Sequence, residues 1–239
     1  MDQSARAFRT LAEHPINTRW PAEHPDRVQL YSWPTPNGIK VSAMLEETGL
    51  PYEPHLINLS EDVTTPEFLS LNPNNKIPAI IDPDGPDGQP IGLFESGAIL
   101  IYLADKSGRF LPGGAARYET IQWLMWQMGG VGPMFGQVGF FHKFAGAEIE
   151  DKRPLTRYVN EAKRLLNVLD QRLEGRGWIM GEDYTIADMA IWPWVRGLNF
   201  YGAEEMVGLQ GFANIGPWFD RAMARPASQA ALDIPATGR

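Results

Sequence analysis

The chain changes character once along its length, and that change limits the folds open to it. Through Gly108, short apolar runs of strand type alternate with helical ones; past the Pro-Gly-Gly of "RFLPGGAARY" (109–118) every periodic segment is helical. An alternating first part followed by a purely helical one predicts two domains, each with its own core. The expected division is 27–108 for the mixed domain, 109–114 for a linker and 115–239 for the helical domain. Residues 1–26, with Pro15, Pro21 and Pro25 and little periodicity, read as an extended N-terminal arm.

The first part can be read element by element. "RVQLYSW" (27–33) has strand composition, and "GIKVSAMLEETG" (38–49) is a helix that Gly49 stops. "YEPHLINL" (52–59) suits a second strand parallel to the first, because a helix between two strands makes a crossover. "TPEFLSLNP" (65–73) is a short helical turn. "IPAIID" (77–82) and "PIGLF" (90–94) flank "PDGPDGQ", whose Asp-Gly pairs predict a hairpin loop. "ESGAILIYLADKSG" (95–108) is a helix with Ser96 near its start and Gly108 just past its end. The predicted order is β-α-β-α-β-β-α.

Beyond the linker, "ARYETIQWLMWQMGGVGPMFGQVGFFHKF" is a long helix interrupted at Gly129, Gly130, Gly132 and Pro133. "PLTRYVNEAKRLLNVLDQRLEG" (154–175) carries Leu165, Leu166, Leu169 and Leu173 at helical spacing. "TIAD" (185–188) opens another helix as a capping box, with Thr185 as cap and Asp188 answering. Trp192 and Trp194, and most of the Met and Phe residues from Met125 to Phe141, are expected in the core. Part of that Met-Phe group could face an apolar cosubstrate.

Composition removes several chemistries. The 239 residues include no cysteine, so disulfides, thiolate metal sites and a protein thiol nucleophile are excluded. The four histidines, His14, His24, His55 and His142, lack ligand spacing, and no metal site is expected. A net charge of −8 argues against nucleic acid as the partner. No run approaches the roughly 18 apolar residues of a membrane helix. The N-terminus lacks a signal-peptide core, so cytoplasmic residence is expected.

The element order, together with "TPNG", "NPNNKIPAI", "FESGAILIYLA" and "YTIADMAIWPW", resembles the glutathione transferases. The combination is most similar to their bacterial Nu class, and the resemblance covers roughly residues 27–226. It implies a thioredoxin-like α/β N-terminal domain that binds glutathione, an all-α C-terminal domain, and a homodimer. It also implies a cis Ile77-Pro78 bond that turns the Ile77 backbone outward, so that a bound tripeptide pairs with it as an added strand. The alternative for that segment is an ordinary turn before a strand.

Other residues take roles within that resemblance. Ser96 at a helix N-terminus suits a carboxylate, and Glu95 suits an ammonium; a γ-glutamyl group carries both. Asn75 and Lys76 could meet the glycine carboxylate of glutathione, and Arg157 matches an arginine the family uses to reach the ligand. Thr35 and Asn37, in the turn after the first strand, could donate hydrogen bonds to the glutathione sulfur and favour its thiolate. Ser32 competes with Thr35 for the hydroxyl role, and both Thr35 and Asn37 also suit plain helix capping. The expected activity is disulfide or peroxide reduction, or conjugation, by glutathione; ether cleavage on aromatic substrates and non-catalytic glutathione binding are the alternatives.

Overall fold

The computed structural model describes residues 8–238. Their contacts resolve two compact units: the chain up to Leu103 together with the segment from Ala230, and Ala104–Gln229.

In the first unit, β1 (Val28–Ser32) lies between β2 (Tyr52–Leu56), parallel to it, and β3 (Ala79–Asp82), antiparallel; β4 (Ile91–Phe94) extends the sheet antiparallel to β3. The parallel pair needs a crossover, which α1 (Pro36–Thr48) supplies before Gly49 ends it at φ 71°. The short α2 (Pro66–Leu69) is capped by Thr65. Helix α3 (Ser96–Ser107) follows β4 directly and stops before Gly108, at φ 67°. The order β-α-β-α-β-β-α is therefore the one the sequence predicts.

Strand alternation sorts the core of this unit. Tyr31, Ala79 and Ile81 point to one face and pack with Ile57, Phe68, Leu71 and Ile77. Leu30 and Ile80, opposite each other across β1 and β3, point to the other face and are also fully buried. Leu11 and Ile16 belong to the first cluster, from 3-10 turns at Leu11–Glu13 and Pro15–Thr18. The described part of the expected extended arm is thus turned and packed, and residues 1–7 lie outside the described residues. Pro15 opens its turn, where a missing N–H is harmless, and His14 Nδ1 accepts from the Ile16 N–H at 3.2 Å. The C-terminal tail returns to α1, where Ser42 Oγ donates to the Ile234 carbonyl at 3.0 Å.

In the second unit, α4 (Gly114–Trp126) and α5 (Gly132–Gly139) are joined by a π turn at Gln127–Val131, and a second π turn at Phe140–Phe144 follows. The predicted interruption is a widening rather than a break. Pro133 falls in the first turn of α5, and Gly132 is required by close packing: a β-carbon there would lie 2.7 Å from Gln127 Nε2 and 3.3 Å from the Trp194 ring. Helix α6 (Arg153–Leu173) buries Leu165, Leu166, Leu169 and Leu173. Helix α7 (Ile186–Tyr201) opens on the Thr185–Asp188 capping box and buries Trp192 and Trp194. The short α8 (Glu204–Val207), α9 (Ile215–Met223) and α10 (Pro226–Ala231) complete the chain. Asp188 is fully buried and accepts from Ile179 N, Thr185 N and Trp218 Nε1 at 2.9–3.0 Å. Burial raises its carboxyl to about 6, against the pull of those donors. Among the described residues no helix is long and apolar enough to cross a membrane.

Candidate functional site

Register brings three chain segments to one end of the sheet. Ala79, the first residue of β3, pairs with Tyr31 near the end of β1 and with Phe94, the last residue of β4. The turn after β1, the approach to β3 and the exit from β4 therefore share an edge, on strands spaced about 4.8 Å apart. Those segments hold Thr35 and Asn37, Asn75 to Pro78, and Glu95 with Ser96. Among the expected site residues, Arg157 alone lies in the other unit, exposed on α6.

Thr35 caps α1, its Oγ1 accepting from the Gly38 N–H at 3.3 Å, with Pro36 at the first helical position. Capping does not use up the hydroxyl. An oxygen that accepts through a lone pair still has its proton to donate, so the cap fixes the side chain and leaves a donor. Ser32 is different: it is fully buried, and its Oγ lies 3.4 Å from the Trp33 carbonyl as donor. Of the two competing hydroxyls, only Thr35 reaches partial exposure. Tyr31 stays inside β1, stacked on His55 at 4.7 Å, and burial pushes its hydroxyl pKa up. Asn37, in the first turn of α1, is half-buried.

The Ile77-Pro78 bond is cis, as the family resemblance implies. The loop before it is organised by Asn72, a buried residue that sequence reading passed over. Asn72 donates to the Lys76 carbonyl, accepts from Asn74 N at 3.0 Å through its side chain, and accepts from Asn75 N at 3.1 Å through its backbone. Asn75 and Lys76 are exposed on this loop, Asn75 at φ 49°. Glu95 is exposed at φ 71°, a left-handed conformation that costs a non-glycine residue about 1–3 kcal/mol. Ser96 begins α3 and is 3% exposed.

Lys40 is the other residue missed. It lies one turn into α1, is fully buried, and donates from Nζ to Ser96 Oγ at 3.2 Å. Burial lowers its ammonium to about 7, and the carboxylate of Glu95 works in the opposite direction. A signal existed: Lys40 stands inside "GIKVSAML", where residues 38–45 are all buried. A cavity of about 480 Å³ opens in the second unit, lined by Val195, Arg196, Asn199, Leu209, Phe219 and Met223 among others. None of the expected site residues lines it, and the convergence of groups able to meet a charged peptide is at the sheet end instead. Among the described residues no group of three or more His, Cys, Asp or Glu is gathered to hold a metal.

A four-stranded 2-1-3-4 sheet with one parallel and two antiparallel pairs, carrying polar groups at the cis-proline end and followed by a helical unit, defines a thioredoxin-like domain joined to an all-α domain. The chain belongs to the glutathione S-transferase family: residues 26–105 match its N-terminal domain and 153–221 its C-terminal domain. It is 44% identical over 208 residues to the disulfide-bond oxidoreductase YfcG of Escherichia coli, covering 86% of this chain and 94% of that one. A glutathione transferase of Burkholderia graminis, whose crystal structure has two glutathione molecules bound per subunit, is 64% identical with a TM-score of 0.94, over 98% of both chains. One from Pseudomonas putida, solved with one glutathione disulfide per subunit, is 59% identical with a TM-score of 0.92, over 95% of this chain and 99% of that one.

Proposed function

We propose that this protein is a Nu-type glutathione transferase that binds glutathione at the shared sheet end and uses its thiolate chiefly to reduce disulfides. The observation that carries the reading is the convergence of Thr35 and Asn37, Ile77-Pro78, and Glu95-Ser96 on one edge, set by the Tyr31–Ala79–Phe94 register. Ser96 and the α3 N-terminus take the γ-glutamyl carboxylate, Glu95 its ammonium, and the Ile77 backbone the cysteinyl peptide unit. Asn75 and Lys76 face the glycine carboxylate.

Thr35 and Asn37 donate to the sulfur at the N-terminus of α1. A thiol near pKa 8.5 is only a few per cent thiolate at neutral pH, and each unit of depression needs about 1.4 kcal/mol of preference for the anion. Two donors and the positive end of a helix dipole supply interactions of that size. With no cysteine in the chain, the sulfur chemistry runs through glutathione alone. One glutathione thiolate attacks a disulfide sulfur and expels a substrate thiolate, which takes up a proton. A second thiolate attacks the glutathione sulfur of the mixed disulfide, giving glutathione disulfide and the second substrate thiol. The name of the oxidoreductase relative and the contents of the two crystal structures support this reaction over conjugation; peroxide reduction uses the same thiolate.

The reading calls on no metal, nucleic acid or membrane, and it includes a homodimer in the cytoplasm. Titration calorimetry tests the site: Ser96→Ala weakens glutathione binding by about 1–3 kcal/mol, the worth of a hydrogen bond to a charged group. Unchanged affinity removes Ser96 from the site.

A further inference from the structure

A fully buried lysine needs a reason. Taking an ammonium out of water costs several kcal/mol, and a methionine would fill the same space as the Lys40 stem without that cost. The carboxylate of Glu95 favours the ammonium, but Glu95 is itself exposed and offsets the cost only in part.

We infer that Lys40 is a positioning residue for ligand binding, whose buried ammonium holds the Ser96 hydroxyl as a donor toward the γ-glutamyl carboxylate. This rests on the proposed role of Ser96 and goes further, because it names what sets the direction of that serine's proton. The argument begins with donors. An ammonium has three N–H groups and no lone pair, so in the 3.2 Å contact Ser96 Oγ is the acceptor. Whatever else Lys40 and Ser96 touch, the serine proton then points away from the lysine. A carboxylate at the N-terminus of α3 accepts it, and the buried positive charge behind Ser96 adds to the field of the helix end. A neutral amine reverses the bond: its lone pair accepts the serine proton, and Ser96 then turns a lone pair toward the carboxylate.

The geometry makes affinity depend on the charge state of Lys40, and burial sets that charge change near neutral pH, at about 7. A bound carboxylate favours the ammonium, so binding above neutral pH takes up a proton and affinity falls as pH rises. Glutathione itself confuses this dependence because its thiol ionises in the next pH range. S-methylglutathione has no thiol proton, and its amino group, which ionises at higher pH, is still almost fully protonated at pH 8 and takes up little there.

The experiment is calorimetric titration of the protein with S-methylglutathione from pH 6 to 8.5, in two buffers of different ionisation enthalpy. The expected result is roughly tenfold weaker binding at pH 8.5 than at pH 6, with proton uptake on binding at pH 8. Lys40→Met is expected to bind roughly 10- to 100-fold more weakly at pH 6, the loss that follows when a charge-assisted hydrogen bond is removed. It should also lose the pH dependence while melting no lower than the parent. A lysine with a purely structural role gives the opposite pattern: Lys40→Met melts lower and binds as the parent does. Should Lys40→Met not fold, proton uptake by the parent protein decides alone, and its absence overturns the inference. Parent binding with neither pH dependence nor uptake refutes the role of Lys40 and leaves the glutathione site standing. No binding by the parent at any pH refutes both.

Discussion

Replacing Gly38 by alanine puts a methyl carbon where α1 passes closest to the end of β1. It would stand 2.0 Å from the Trp33 carbonyl oxygen and 2.6 Å from Ser32 Oγ. The shortfall from the closest tolerated approach is about 1 Å, and the oxygen is backbone, so no rotamer relieves it. The first turn of α1 has to lift away. Overpacking of this kind costs about 1–3 kcal/mol, while alanine in a helix gains at most about 1. With the full helix gain the net loss is at most about 2 kcal/mol, which lowers Tm by up to roughly 8 °C in a chain of this size. The larger effect is on turnover. Thr35 and Asn37 stand on the turn that moves, and a misplacement of about 1 Å costs on the order of 100-fold in rate. Scanning calorimetry and glutathione-dependent turnover of a small mixed disulfide read the two effects. Gly216→Ala is the control: it is exposed in the first turn of α9 with nothing within 4 Å of the added carbon, and should keep full activity with unchanged or slightly higher Tm. A Gly38→Ala protein as active as the parent would refute the placement of the thiolate at this turn.

Asp188→Ala leaves the buried Ile179 N, Thr185 N and Trp218 Nε1 without their acceptor, a loss of about 3–5 kcal/mol. Denaturant titration should show the midpoint falling accordingly, and a change under about 1 kcal/mol would contradict the account of this cap. His14 is held neutral, its pKa lowered by burial to about 4 from 6.5. As pH falls the unfolded chain takes up the proton first, so this contribution to stability is intact above about pH 6.5 and is lost between 6.5 and 4. Stability measured across that window should fall more steeply for the parent than for His14→Gln; parallel profiles would count against it.

The elements of the first unit were legible because local chemistry and packing agree there. Gly49 ends α1 in the left-handed conformation that a C-terminal glycine suggests, and "PDGPDGQ" does separate two antiparallel strands. Local signals failed where packing overrode them. Gly129 to Pro133 read as a helix interruption, yet the chain stays helical through a π turn, with little room for a side chain at Gly132 beside Gln127 and Trp194. Residues 11–18 show no period, since 3-10 turns this short present only single apolar residues, Leu11 and Ile16, to the core. "DIPATGR" carried no sign of its return to α1, which a hydrogen bond from Ser42 marks across 192 residues of sequence.

The motifs of the candidate site were legible and the family resemblance implied their meeting, but the register that brings them together was not. Convergence comes from the pairing of Ala79 with both Tyr31 and Phe94, and strand register is a tertiary property. The family resemblance favours Thr35 over Ser32, and burial of Ser32 agrees with that preference. Lys40 was invisible to the rule that lysines are surface residues; only the mostly apolar residues around it, Ile39, Val41 and Ala43 to Leu45, marked it as an exception.

The central claim is that a glutathione thiolate, held by Thr35 and Asn37, works on sulfur in preference to carbon. The direct test compares turnover of a small mixed disulfide with turnover of a chlorinated nitrobenzene, on the same protein at the same pH. The disulfide should be consumed faster. Thr35→Ala and Asn37→Ala should each slow it while leaving glutathione affinity nearly unchanged, because each acts on the charged sulfur alone. Faster turnover of the nitrobenzene, or full disulfide activity in both variants, would contradict the claim and leave the turn as a helix cap.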